Sequence, residues 1–66
     1  MKMTLIQGNG ASDVIGTYSP SCCWDYLAKQ LKDAARIYLG NHRIDYSTMT
    51  ARATDDGWRD LRIELK

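Results

Sequence analysis

Four groups of residues in this 66-residue chain are of types that do chemistry: the adjacent Cys22 and Cys23, the single His42, the run Gly8-Asn9-Gly10, and the carboxylates Asp55 and Asp56. A cysteine at a helix N-terminus is open to activation as a nucleophile or redox sensor, and its usual partner is histidine. Here the two lie on either side of an expected helix. Roughly 20 helical residues at about 1.5 Å each hold them about 30 Å apart, so no dyad forms within one chain. Adjacent cysteines also lack the C-x-x-C spacing of redox and zinc sites, and one histidine without a cluster of further ligands makes no metal centre. At least one cysteine is therefore expected to pack beside Trp24, as free cysteines usually do. Gly8-Asn9-Gly10 lacks the rest of a phosphate-binding loop, and no helix follows at once, so it reads as a turn. Asp55 and Asp56 precede Gly57 where a hairpin loop wants such residues for backbone reasons. No constellation meets the geometric demands of catalysis, and the expectation is a protein that is not an enzyme, with no cofactor and no metal.

The elements that would carry any site follow from periodicity. Trp24, Leu27, Ala28, Leu31, Ala34, Ala35 and Tyr38 recur at spacings of three and four, with Asp25, Lys29, Lys32, Asp33 and Arg36 on the other side. This predicts an amphipathic helix whose start is marked by Ser19 as N-cap with Pro20 at the first helical position, or by Ser21 as a slightly later cap. Its end is marked by Gly40 and Asn41, which tolerate a left-handed residue. Asp25 and Lys29 would form a supporting pair on the solvated side.

The C-terminal segment predicts a hairpin whose register can be argued from its faces. A two-residue turn at Asp56 and Gly57 would set Ala53 against Asp60, Ala51 against Arg62 and Met49 against Glu64, leaving neither face apolar. A three-residue loop, Asp55 to Gly57 with Gly57 left-handed, sets Ala51 against Leu61, Met49 against Ile63 and Ser47 against Leu65. The other face then pairs Thr54 with Trp58, Arg52 with Asp60, Thr50 with Arg62 and Thr48 with Glu64, and is charge-matched. The three-residue loop is the expectation. It requires a bulge or break near Ser47, because Ile44 and Tyr46 occupy even positions and the apolar face from Met49 onward odd ones; otherwise Ile44 and Tyr46 cover the other face. At the N-terminus, "KMTLIQGNGASDVIGTYS" reads as a second hairpin turning at Asn9 and Gly10 in a two-residue type I′ turn, with Leu5 facing Val14, Met3 facing Gly16 and Ile6 facing Asp13. The fold class is then α+β: a two-layer domain spanning residues 1–66, one amphipathic helix packed on an antiparallel sheet, in the order strand-strand-helix-strand-strand.

Composition bounds the partners. The chain is 44% apolar and 26% charged, which suits a single folded domain. Nine Lys and Arg against eight Asp and Glu give a net charge of +1 and no global field to draw in nucleic acid or a membrane surface. No apolar run nears the roughly 20 residues of a membrane span, "MKMTLIQGNG" meets polar residues too early for a signal-peptide core, and two adjacent cysteines make no disulfide framework. A cytoplasmic protein is expected. Its recognition surface is expected on the hairpin face away from the helix, at Trp58, Arg52, Arg62, Asp60, Glu64 and Thr50, because Trp and Arg are the types enriched in interface hot spots. Direct nucleic-acid contact through charge and stacking on the same face is the alternative, opposed by Asp60 and Glu64 among the arginines. A monomer and an obligate homodimer joined at a free sheet edge both remain open.

In size and element order the chain resembles the small phage-encoded proteins that bind and block host machinery, including certain anti-CRISPR proteins and phage inhibitors of bacterial RNA polymerase. "MKMTLIQ" matches as an opening strand, "CCWDYLAKQLKDAARIYLG" as the helix and "ARATDDGWRDLRIELK" as the closing hairpin. The resemblance carries no diagnostic motif and no residue roles. It implies an inhibitor that occludes a surface of a host protein or ribonucleoprotein complex in the bacterial cytoplasm.

Overall fold

The computed structural model describes residues 1–54 and 59–64. One helix packs against a five-stranded antiparallel sheet, the two-layer α+β arrangement anticipated above. The elements are β1 (Lys2–Ile6), β2 (Ser12–Thr17), α1 (Trp24–Tyr38), β3 (His42–Asp45), β4 (Thr50–Ala53) and β5 (Asp60–Glu64), and the order across the sheet is β2-β1-β5-β4-β3. The helix carries the chain from one edge of the sheet to the other. The last two strands then fold back inward until β5 pairs with β1, so the first and last strands meet at the centre.

The predicted pairing of the closing hairpin is present: Thr50 lies opposite Arg62, Ala51 opposite Leu61 and Arg52 opposite Asp60. Backbone bonds from Ile63 N–H to Met49 O (3.1 Å) and from Ala53 N–H to Arg59 O (2.9 Å) extend the same register at both ends. Asp55 to Trp58 and Leu65 lie outside the described residues. Ser47 and Thr48, expected opposite Leu65 and Glu64, lie in the turn before β4, and the β4–β5 ladder begins at Thr50.

Upstream, the element order gains a strand. The phase change near Ser47 is a reversal of the chain, not a bulge within one strand. Tyr46 to Met49 form a turn, and β3 folds back on β4 with Ile44 opposite Ala51 and Asp45 opposite Thr50. Two devices hold that turn. Ser47 donates from both its backbone N–H (3.0 Å) and its hydroxyl to Asp45 Oδ1, and Met49 adopts φ +52, a left-handed residue closing the loop. Ile44 thereby joins the core, while Tyr46 stays exposed.

The N-terminal hairpin keeps one expected pair, Met3 opposite Gly16, and then slips by one residue. A bulge at Ile15 sets Thr4 opposite Val14, Leu5 opposite Asp13 and Ile6 opposite Ser12, in place of the expected Leu5–Val14 and Ile6–Asp13 pairs. The turn is also one residue longer than the type I′ expectation. Gln7 N–H donates to Ala11 O (2.9 Å) and Gly10 N–H to Gln7 O (3.0 Å), with Gly10 at φ +89. That is a three-residue loop closed by a left-handed glycine, and Asn9 Oδ1 braces it by accepting from Ala11 N–H (2.9 Å).

The helix starts later than Ser19 or Ser21. Ser19 to Cys22 form a turn, closed by Cys22 N–H to Ser19 O (3.0 Å), and Cys23 is the N-cap without a side-chain cap bond. Ser-Pro-Ser satisfies its own backbone here, as Ser21 N–H donates to Ser19 Oγ (3.2 Å). The far end is as expected, with Leu39 N–H bonded to Ala35 O (2.8 Å) and Gly40 left-handed at φ +68. Leu27, Leu31, Ala35 and Leu39 are buried against Met3, Leu5, Met49, Ala51, Ala53 and Leu61. The ends of the expected apolar stripe are not: Trp24 is 54% exposed and Tyr38 40%. Asp25 and Lys29 make no ion pair with each other.

Candidate functional site

Strand geometry sends alternate residues to opposite faces, so the register that buries Leu61 and Ala51 turns Asp60, Arg62, Thr50 and Arg52 outward. No element of the described chain covers that outer face. α1 packs against β3, β4 and β5 from the other side.

Two cross-strand rows define the outer face. In one, Ile6 of β1, Asp60 of β5, Arg52 of β4 and Arg43 of β3 stand side by side; in the other, Thr4, Arg62, Thr50 and Asp45 do. Lys2 lies opposite Glu64 beyond them. Arg52 Nε donates to Asp60 Oδ1 at 3.3 Å, the charge-matched pair expected from the register. With Arg52 72% exposed, that pair adds little to stability. Thr48 and Thr50 share a hydroxyl–hydroxyl bond of 2.8 Å. Together Arg43, Asp45, Thr50, Arg52, Asp60 and Arg62 border a shallow concavity of about 620 Å³.

The two acids that border the concavity, Asp45 and Asp60, are already engaged. Asp45 lies below the ordinary aspartate value because the Ser47 hydroxyl, then the Ser47 backbone N–H, hydrogen-bond its charged form. Asp60 is paired with Arg52. Arg43 and Arg62, by contrast, have no hydrogen bond or ion pair with another described residue. Thr4, directly across from Arg62, is only 7% exposed, and its Oγ1 has no hydrogen-bond partner.

Of the residues expected to form a recognition surface, Arg52, Arg62, Asp60, Glu64 and Thr50 all sit on β4 and β5 with the outward phase. Trp58 lies outside the described residues. Arg43 and Asp45 belong to the same surface and were missed, because β3 was read as continuous with β4. The signal was present: the phase flip between Ile44 and Met49, with the turn-forming run Asp45-Tyr46-Ser47-Thr48 inside it.

The other chemical candidates stand apart. Cys22 is half-buried against the core, and Cys23 is exposed. Between them and His42 runs the intact 15-residue helix, about 22 Å long. His42 is tied locally, its Nδ1 donating to Gly40 O at 2.7 Å. Near the cysteines, Tyr18 packs edge-on to Tyr26 with ring centroids 6.4 Å apart. Burial first, and then the neighbouring Tyr26 and Cys22, raise the Tyr18 phenol above its ordinary value. Among the described residues no three His, Cys, Asp or Glu side chains gather as a metal site, and no helix is long and apolar enough to cross a membrane.

The sequence matches no protein-family model, and neither a curated protein nor a solved structure matches it. The fold defines a two-layer α+β protein with an open sheet face, and the chemistry of that face has to be read from its own residues.

Proposed function

We propose that this chain is a non-enzymatic binding module that occupies the surface of a larger protein or ribonucleoprotein complex through the open face of its sheet. In the manner implied by its resemblance to phage-encoded inhibitors such as anti-CRISPR proteins, it blocks that surface inside the cytoplasm of a bacterial host. The observation that carries this reading is the division of labour between the two sheet faces. The covered face supplies the hydrophobic core, whereas the open one presents charged and hydroxyl side chains from β3, β4 and β5 that the core does not need. The edges favour face over edge contact. β2 is interrupted by a bulge and β3 is only four residues long and carries Arg43 and Asp45, both of which blunt strand-to-strand pairing.

A nucleic-acid reading has one observation in its favour, the juxtaposition of Arg43 and Arg52 on adjacent strands. Affinity capture from bacterial lysate, with and without nuclease and across a salt series, separates the two. The protein-binding reading expects one multi-subunit complex recovered in both arms and lost on Arg52→Ala with Arg62→Ala. Recovery that vanishes with nuclease and falls steeply between low and moderate salt overturns it in favour of nucleic acid.

A further inference from the structure

We infer that the surface this module recognises is acidic, and that Arg43 and Arg62 are the groups that take its carboxylates. The inference rests on the open face being the binding surface and adds the chemistry of the partner. Like charges directly opposite each other on neighbouring strands are unfavourable, and Arg43 stands directly opposite Arg52. Asp60 relieves Arg52 alone, through its Nε at 3.3 Å, and Asp45 is committed to Ser47. The concavity is thus bordered by acids that are already engaged and by two guanidinium groups without a partner among the described residues, an arrangement that an incoming anion completes.

The spacing suits an extended acidic segment. Arg43 and Arg62 lie two strands and one row apart, so their Cα positions are separated by about 12 Å at about 4.8 Å per strand and about 3.3 Å per residue. An extended partner strand with acids four positions apart spans about 13 Å with both on one side, and planar guanidinium forks bind such carboxylates bidentately. Carboxylates are favoured over a phosphate backbone for two reasons. Among the described residues of the five strands none is Phe, Tyr or Trp, the types on which bases stack. Asp45, Asp60 and Glu64 also interleave with the arginines, so carboxylates spaced four positions apart can meet the arginines and pass between the acids, whereas the unbroken charge of a phosphate backbone cannot. Beside the charged half, Ile6 and the 52% exposed Val14 offer apolar contact to the same partner.

The test is an NMR titration of the isotope-labelled chain at low salt with a glutamate-serine alternating peptide, and in parallel with oligo-thymidine of equal charge. The expected result is that the peptide shifts the Arg43 and Arg62 Nε–H signals while leaving the amides of Lys29 and Lys32 on the helix unmoved. Arg43→Gln or Arg62→Gln should weaken the peptide by about tenfold at unchanged thermal stability, and Arg→Lys at either site should restore only part of it. Equal shifts at Lys29 and Lys32, no shift at the arginines, or tighter binding of oligo-thymidine overturns the inference. Failure here is distinguishable from failure of the open-face reading. If Thr50→Trp, which obstructs the face sterically, abolishes capture of the cellular complex while Arg43→Gln with Arg62→Gln leaves it intact, only the acidic-partner inference falls. If neither variant affects capture, both fall.

Discussion

Leu61 and Arg62 are neighbours in β5, yet one is fully buried under the helix and the other projects from a sheet face that no described element covers. The same contrast separates Ala51 from Arg52 in β4 and, with Ile44 only half-buried, Ile44 from Arg43 in β3. On the covered face the buried side chains of β1, β4 and β5 pack in one cluster with α1. On the open face stability accounts for little: an exposed ion pair, a like-charge juxtaposition and two arginines with no partner among the described residues. Residues that folding does not require are free to answer to a partner, and the open face carries a set of them on three adjacent strands.

That comparison can be broken from either side. The largest effect belongs to the covered face: Leu61→Ala should cost about 2–5 kcal/mol, read by thermal or urea denaturation, because a fully buried leucine at the sheet centre leaves a cavity its neighbours cannot close. Thr4 is the exception on the open side, a nearly buried residue whose hydroxyl is unpaired. Thr4→Val should therefore stabilise by about 1 kcal/mol, and a loss of stability would mean that the hydroxyl has a partner. Gly10→Ala should destabilise by a similar ~1 kcal/mol through backbone strain alone, since φ is +89 and a Cβ there meets nothing within 4 Å.

Smaller still is the pH effect at the β3–β4 turn. The folded-state pKa of Asp45 is depressed, so its stabilisation is complete above the ordinary value of 3.8 and is lost as pH falls through the folded value. The stability difference between the native chain and Asp45→Asn should shrink on acidification below that point, and a difference independent of pH would remove the Ser47 bonds from the account. Least of all, Arg43→Gln and Arg62→Gln should each change stability by less than about 0.5 kcal/mol.

Much of this was legible in the sequence where two constraints agreed. The β4–β5 register followed because only one pairing makes one face apolar and the other charge-matched, and the helix followed from its stripe of leucines and alanines. Where one local signal fits two structures, the reading failed. Asn9-Gly10 serves a type I′ turn and, as found, a longer loop closed by left-handed Gly10 alone. Ser-Pro-Ser serves a helix cap and, as found, a free-standing turn. The β3–β4 reversal depends on Met49 adopting a left-handed conformation, which methionine does not advertise. Strand order, with β5 inserted beside β1, rests on contacts between the two ends of the sequence and has no local signature.

The most direct test of the division between the faces removes equal charge from two surfaces: Arg52→Ser with Arg62→Ser on the open sheet face, and Lys29→Ser with Lys32→Ser on the outer side of the helix. Each double variant is read for melting temperature and for recovery of the captured complex. The account predicts that both melt close to the native chain and that only the sheet-face variant loses the complex. Retention by the sheet-face variant together with loss by the helix variant would contradict it, and would move the functional surface to the other layer of the molecule.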